Sequence, residues 1–128
     1  MPRVSRETAA QVDDHGPAED RHQDLDGYTV NFVTIREDSD LAPLLKGLPG
    51  DQCQCPHWGY VFKGKIAFRF DDREETYEAG DAYYVPPGHV PLVFDGAEIL
   101  QFQPAEEMAK TTEVMARNMQ AVGAPPAP

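Results

Sequence analysis

The sequence lacks any apolar run long enough to cross a membrane, and it is poor in positive charge. Its 128 residues include 11 lysines and arginines against 22 aspartates and glutamates, which gives a formal net charge of -11. No segment approaches the roughly 18 consecutive apolar residues that a membrane-spanning helix requires. The acidic surface repels phosphate backbones, which argues against nucleic acid as a direct partner.

The N-terminal stretch MPRVSRETAAQVDDHG also lacks the apolar segment of a secretory signal. We therefore expect a cytoplasmic protein. Cysteine is scarce too, because Cys53 and Cys55 are the only two in the sequence. Cytoplasmic thiols stay reduced, so the sequence favours free or metal-bound cysteines over a structural disulfide.

Length and composition fit a single domain with many turns. A chain of 128 residues suits one hydrophobic core, and its 12 prolines and 10 glycines favour short elements. Residues 1–26 are polar and show no apolar period, which predicts a disordered or mobile N-terminal arm. The end of the chain, GAPPAP at 123–128, is predicted to be a loose tail.

Residues 27–104 carry short strand-like segments separated by turn residues. The segment YTVNFVTI at 28–35 is rich in the β-branched and aromatic residues that strands favour. Glycines and prolines then punctuate further short apolar segments, as they do between strands. This spacing predicts an all-β barrel or sandwich over 27–104.

A helical period replaces the strand pattern after Pro104. Apolar and small residues recur at intervals of four, three and four, which is the spacing of one helix face. They are Met108, Thr112, Met115 and Met119. We predict a C-terminal α-helix over 105–122 that packs against the β-structure or another subunit.

The turn residues resemble those of the cupin superfamily. Gly64 fits the glycine that closes the first cupin motif. Gly80, followed after five residues by Pro86-Pro87-Gly88, fits the second. The resemblance covers about 28–104 and implies an all-β, cupin-like jelly-roll β-barrel, here with the C-terminal helix added. It also implies oxygenase, isomerase, epimerase or lyase chemistry on a small metabolite, an acidic one included.

The ligand positions depart from the cupin pattern, which has a His-x-His pair and a glutamate in the first motif. Counting back from the closing glycine, His57 occupies the glutamate position and Cys53 the second histidine position. Asp51 occupies the first histidine position. In the second motif Pro91 occupies the histidine position, and His89 lies two residues before it. The resemblance therefore implies the scaffold without its usual ligands.

The departing residues still include metal-binding types. If 51–57 is a strand, alternate side chains point to one face, which is the interior of a cupin-like barrel. Thiolate and imidazole suit zinc, copper, iron or nickel better than magnesium or calcium. We predict a transition-metal site with these ligands: Cys53, Cys55, His57 and His89, with Asp51 in reserve.

This prediction needs a bend in the chain. Side chains four residues apart on an extended strand start roughly 13 Å apart, too far to share one ion. Pro56 could supply the bend, because proline in sheets is confined to edges and bulges. On a late strand we expect at least one side chain to enter the cavity, from among Glu98, Gln101 and Gln103.

Two other interpretations of Cys53, Cys55 and His57 remain open. Buried thiols can act as small hydrophobic residues, so these side chains can line a metal-free pocket. A redox or disulfide role for the two cysteines is the third interpretation, although a bridge between strand residues i and i+2 strains disulfide geometry.

The opposite face of the same segment carries Trp58, Tyr60 and Phe62, which is too apolar to face water. We predict a homodimer on this ground. Three functions follow as hypotheses: a metal-dependent enzyme, a module that binds a small ligand or senses it without chemistry, and a dimerisation unit. His57 would be a metal ligand or, without metal, a general base, and Tyr60, Tyr83 and Tyr84 are candidate proton donors.

Overall fold

The protein consists of two antiparallel β-sheets and one C-terminal helix. The computed structural model describes residues 3–121. The strands are β1 (Gln11–Asp14), β2 (Ala18–Leu25), β3 (Tyr28–Ile35), β4 (Ser39–Asp40), β5 (His57–Lys63), β6 (Lys65–Arg69), β7 (Glu74–Glu78), β8 (Ala82–Val85), β9 (Val90–Val93) and β10 (Glu98–Pro104). Two short 3-10 helices, Ala42–Leu45 and Pro49–Asp51, precede β5, and helix α1 spans Ala105–Ala121.

The two sheets pack face to face around one apolar core. The first has the strand order β1-β2-β3-β10-β5-β8 and the second has the order β4-β9-β6-β7. Their shared core includes Val61 and Ile99 from the first sheet and Phe68 from the second. Among residues 3–121, no hydrogen-bonded strand pair joins the sheets, so the predicted barrel is not closed. Two facing antiparallel sheets remain consistent with a jelly roll.

The segment predicted as a mobile arm, 1–26, instead contains two strands. β1 pairs with β2, and β2 pairs with β3 along its whole length. The sequence of β2, AEDRHQDL, has no apolar alternation that would predict a strand. Its polar side chains bind polar partners instead of burying apolar surface. Arg21, for example, donates from Nε to Glu19 Oε1 at 2.9 Å.

The missed signal was the turn between β2 and β3. Asp26 and Gly27 both have positive φ, 49° and 83°. An Asp-Gly pair of this kind is a strong hairpin signal, because its backbone twist matches that of the flanking strands. The N-terminal segment therefore extends the first sheet by two strands.

Helix α1 confirms the predicted C-terminal helix. Residue 122 and the tail predicted over 123–128 lie outside the described residues. The inward face carries Met108, Thr111 and Met115, whereas Thr112 is exposed and does not belong to it. Asn118 Nδ2 donates to Leu44 O at 2.8 Å and so ties the helix to the first 3-10 helix. No helix within residues 3–121 combines the length and apolarity needed to cross a membrane.

The glycines of the cupin-like motifs have the backbone that their role requires. Gly64, Gly80 and Gly88 have φ values of 70°, 96° and 93°. At Gly64 there is also no room for a side chain, because a Cβ there would lie 2.9 Å from Ala97 Cα. Side chains are disfavoured in this left-handed region, so these turns depend on glycine.

Candidate metal centre and adjoining cavity

The structure brings three of the predicted ligands together: Cys53, His57 and His89. One ligand atom from each lies within 4.8 Å of the other two. Cys53 Sγ lies 3.6 Å from His57 Nε2, and the two imidazole centroids are 5.0 Å apart. All three side chains are buried. Whether they bind a metal stays a prediction, but their proximity is the geometry that it needs.

Backbone hydrogen bonds place Cys53 beside His89. The Cys53 N–H donates to His89 O at 2.8 Å, and the His89 N–H donates to Cys53 O at 3.2 Å. His57 is the first residue of β5 and pairs with Val85 of β8. Cys53 itself lies before β5, so the chain is not one extended strand here. This change of direction allows residues four apart in sequence to meet.

Cys55 and Asp51 do not join the group. Cys55 is buried, but its Sγ contacts the carbonyl oxygen of Pro56 at 3.6 Å, and burial raises the pKa of its thiol to about 12. Asp51 is exposed and its carboxylate accepts the Gly47 N–H at 3.0 Å. Both cysteines are free thiols, so the structure contains no bridge between Cys53 and Cys55.

Hydrogen bonds outside the group fix the two imidazoles. His89 Nδ1 lies 2.7 Å from Pro86 O, and a carbonyl oxygen only accepts, so Nδ1 carries the proton. His57 Nδ1 lies 2.8 Å from Gln103 Oε1 and donates to it likewise. Both Nε2 atoms therefore keep a lone pair, which is the form that a metal requires.

Gln103 is held in the orientation that this arrangement needs. Its Nε2 donates to Thr29 O at 2.9 Å and to Asn31 Oδ1, which leaves Oε1 facing His57. Asn31 Nδ2 in turn donates to Asp20 Oδ1 at 2.9 Å. A chain of hydrogen bonds thus runs across four neighbouring strands, from β2 to β5.

His89 Nε2 is a buried polar atom of the group. It has no hydrogen-bond partner among the described residues. Buried polar atoms are nearly always paired, because leaving one unpaired costs the desolvation of that atom. A cation next to the lone pair would remove this cost, so the residues present fit a bound metal.

Burial sets the protonation states of the three side chains. Burial, followed by the nearby His89, lowers the pKa of His57 to about 4, and burial also lowers the pKa of His89. Both imidazoles are therefore neutral at pH 7. Burial raises the pKa of Cys53, so its thiol is protonated without metal, and an ion must displace that proton.

A cavity of about 400 Å³ adjoins the group and lies between the sheets and α1. Cys53 and His57 form part of its wall. Most of the remaining wall is apolar and includes Val33, Ile35, Leu41, Leu44, Leu45, Ile66, Phe68, Val93, Ile99, Met108, Met115 and Met119. Exposed residues at one edge, among them Glu37 and Ser39, indicate where the cavity opens.

Sequence reasoning did not identify the polar residues that support the group. Strand alternation predicted that at least one of Glu98, Gln101 and Gln103 on β10 enters the interior, without saying which. In the structure Gln103 is fully buried beside His57, Gln101 lines the cavity, and Glu98 pairs with Arg6 at 2.8 Å. A register for β3 and β10 would have been needed to place Asn31 near Gln103.

The family comparison agrees with the turn pattern. The family described as "Cupin domain" matches residues 53–93, a range that begins at Cys53 and includes His57 and His89. The match over residues 53–93, together with the fold, supports membership of the cupin superfamily. No curated protein has significant sequence similarity to this chain.

Solved structures show the same fold at low sequence identity. An RmlC-like cupin from Shewanella frigidimarina NCIMB 400 is 17% identical, with 82% of this chain and 93% of that chain covered and a TM-score of 0.55. The polyketide cyclase RemF from Streptomyces resistomycificus is 18% identical, with 81% and 79% covered and a TM-score of 0.57. A protein of unknown function from Rhizobium leguminosarum bv. viciae 3841 is 13% identical, with 81% and 95% covered and a TM-score of 0.56.

Proposed function

We propose that this cupin binds one transition metal ion through Cys53, His57 and His89 and uses it to act on a small molecule in the adjoining cavity. The unpaired, buried Nε2 of His89, close to a thiol and a second imidazole lone pair, carries this proposal. One thiolate and two imidazoles suit zinc, copper, iron or nickel. Three protein ligands are also the number that catalytic zinc sites use, which leaves one position for a substrate.

A bound ion would polarise a carbonyl group or activate water or oxygen, as oxygenase, isomerase or lyase chemistry requires. The residues of the chain do the remaining work. Gln103 holds the His57 tautomer, Pro86 holds that of His89, and the apolar walls exclude water. A reducing compartment such as the cytoplasm would keep Cys53 available as a ligand.

Metal titration tests the proposal directly. Cobalt(II) added to chelator-treated protein is expected to bind at one ion per chain and to produce a near-ultraviolet thiolate-to-cobalt charge-transfer band. Because the Cys53 thiol is protonated beforehand, binding should also release protons into weakly buffered solution. Failure of cobalt, zinc, copper, iron and nickel to bind, or cobalt binding without the thiolate band, would overturn the proposal.

Gln103 is a positioning residue whose effect can be separated from folding. Replacing it with leucine removes the acceptor for His57 Nδ1 and is expected to weaken cobalt affinity by about 10- to 100-fold. Gln103→Glu keeps an acceptor for His57 but places a carboxylate beside Thr29 O and Asn31 Oδ1. It should therefore lower the thermal midpoint while retaining most of the cobalt affinity.

The two Gln103 variants distinguish positioning from a general structural role. Isothermal titration with cobalt gives the affinity, and calorimetric melting of the metal-free proteins gives the stability. If affinity simply follows the melting temperature in both variants, Gln103 supports the fold alone and does not position the ligand.

A second candidate function is binding or sensing of the small molecule without reaction. It is favoured by three polar side chains that do not ionise near pH 7, namely Thr111 and Gln101, which line the cavity, and Tyr83, which binds Gln101. Tyr83 donates its O–H to Gln101 Oε1 at 2.7 Å, and burial raises its pKa. Mass spectrometry of small-molecule extracts incubated with metal-loaded protein separates the two functions. Catalysis converts many molecules per protein, whereas binding only retains a stoichiometric amount.

A further inference from the structure

We infer that the cavity takes a neutral, largely apolar molecule with one hydrogen-bond-accepting oxygen, and not an acidic metabolite. The inference rests on the proposed function for the ion beside the ligand, but the ligand class follows from the cavity walls alone. It replaces the acidic metabolite that the cupin resemblance allowed.

The cavity walls favour an apolar ligand over a polar one. Aliphatic and aromatic side chains from both sheets face the cavity, and α1 contributes Met108, Met115 and Met119. Methionine side chains adapt their shape and contact aromatic rings favourably. A volume of about 400 Å³ accommodates a molecule of two fused rings or a similar size.

The charges around the cavity disfavour a carboxylate. Among the residues described, no lysine or arginine lines it, whereas Asp20 and Glu37 do, and His15 lies at the exposed edge. A carboxylate entering such walls loses its hydration without a cationic side chain to replace it. A bound divalent ion would add positive charge, but the Cys53 thiolate would neutralise part of it.

One polar donor at the wall selects an acceptor on the ligand. Gln101 Oε1 accepts the Tyr83 O–H at 2.7 Å, which leaves the Gln101 Nε2 as a donor. Within residues 3–121 this Nε2 makes no hydrogen bond, and Gln101 lines the cavity together with His57 and Cys53. A carbonyl oxygen on the ligand would therefore find a donor on the same wall as the proposed ion.

Three probes of matched shape test the inference. They are 2-acetonaphthone with a neutral acceptor, 2-ethylnaphthalene with none, and 2-naphthoate with a negative charge. Each is used to displace the neutral fluorophore N-phenyl-1-naphthylamine, first from chelator-treated protein and then from zinc-loaded protein. We expect the ketone to bind about fivefold more tightly than the hydrocarbon, and naphthoate to bind at least about tenfold more weakly than the ketone.

Two helix variants show that the probes occupy the cavity. Met115→Glu places a carboxylate in the cavity wall and should weaken binding of the ketone by about tenfold or more. Thr112→Glu adds the same charge to the exposed side of α1 and should leave binding unchanged. If Met115→Glu does not fold, Val33→Phe provides the test, because it narrows the cavity without adding charge.

The possible outcomes separate this inference from the metal proposal. Equal or tighter binding of naphthoate overturns the neutral ligand class, and equal affinity of ketone and hydrocarbon overturns the acceptor. Displacement that is insensitive to the cavity variants also overturns the inference. The expected order of affinities on chelator-treated protein supports the ligand class even where no metal binds. If a metal binds but the apolar probes do not, the ligand class is rejected and the metal proposal stands.

Discussion

Replacing Cys53 with alanine is expected to reduce cobalt affinity by roughly a hundredfold or more and to abolish the thiolate-to-cobalt absorption band. The physical reason is that Cys53 supplies the only thiolate within the 4.8 Å group, so two neutral imidazoles remain. Isothermal titration and absorption spectroscopy on the same samples measure both effects. Zinc can replace cobalt for the affinity, but zinc is a colourless d10 ion and does not report the thiolate by colour.

The chain offers a matched control two residues away. Cys55→Ala makes the same chemical change at a second buried thiol, which contacts Pro56 O and lies outside the three-residue group. It should keep both the affinity and the band. Loss of the band in Cys55→Ala with retention in Cys53→Ala would show that the proposed set of Cys53, His57 and His89 contains the wrong cysteine.

The second large effect is expected at the outer face of the six-stranded sheet. Six aromatic residues there are each about two-fifths exposed or more, namely Tyr28, Trp58, Tyr60, Phe62, Tyr84 and Phe102. Their rings alone expose on the order of 500 Å², a large part of the roughly 800 Å² that each partner contributes to a standard interface. We propose that a second copy of the chain covers this aromatic face.

A second copy fits this face because a two-fold interface pairs one surface with itself. Trp58 lies directly opposite Phe102 on one side and Tyr84 on the other, so the aromatic residues are continuous across three strands. All three side chains in this row are uncharged. Two identical apolar faces can therefore meet without burying an unpaired charge, which would be costly.

The double variant Trp58→Arg, Phe102→Arg is expected to convert a dimer into a monomer. Light scattering during gel filtration should give about twice 14.2 kDa for the unchanged chain and 14.2 kDa for the variant. The control carries the same added charge elsewhere, as Thr76→Arg with Thr112→Arg at exposed positions of β7 and α1. A monomeric unchanged chain at tens of micromolar would reject the second copy as occupant.

The strands after residue 27 could be predicted because their apolar pattern and their turn glycines agree. Gly64 and Gly80 stand where both the chain reversal and the cupin pattern require them, and both have positive φ. β2 escaped prediction because its stability comes from hydrogen bonds between polar side chains, such as Asn31 to Asp20, which leave no apolar period. A strand made of polar residues and a disordered polar arm both lack an apolar period, so a single sequence does not distinguish them.

The sequence predicted the types of residue in the candidate site, but it did not predict correctly which residues come together there. Cys53 and His57 are metal-ligand types close together in sequence, and His89 directly follows the turn of the second cupin-like motif, so the sequence could nominate all three. Cys55 was included because continuous strand geometry was assumed, whereas β5 starts only at His57. The position of Gln103 depends on strand register and on the contact between two side-chain amides, Asn31 and Gln103, which no local pattern encodes.

Because the hydrogen-bonded chain from Asp20 to His57 begins in β2, the smallest domain that keeps this site must include the N-terminal hairpin. Trimming the protein to the segment after residue 26 would follow the sequence pattern, yet it would remove β1 and β2 together with Asp20. β3 would become an open edge that invites pairing with other chains. Asn31 would lose the carboxylate that orients it. A shortened protein chosen for crystallisation or engineering should therefore keep the N-terminal hairpin.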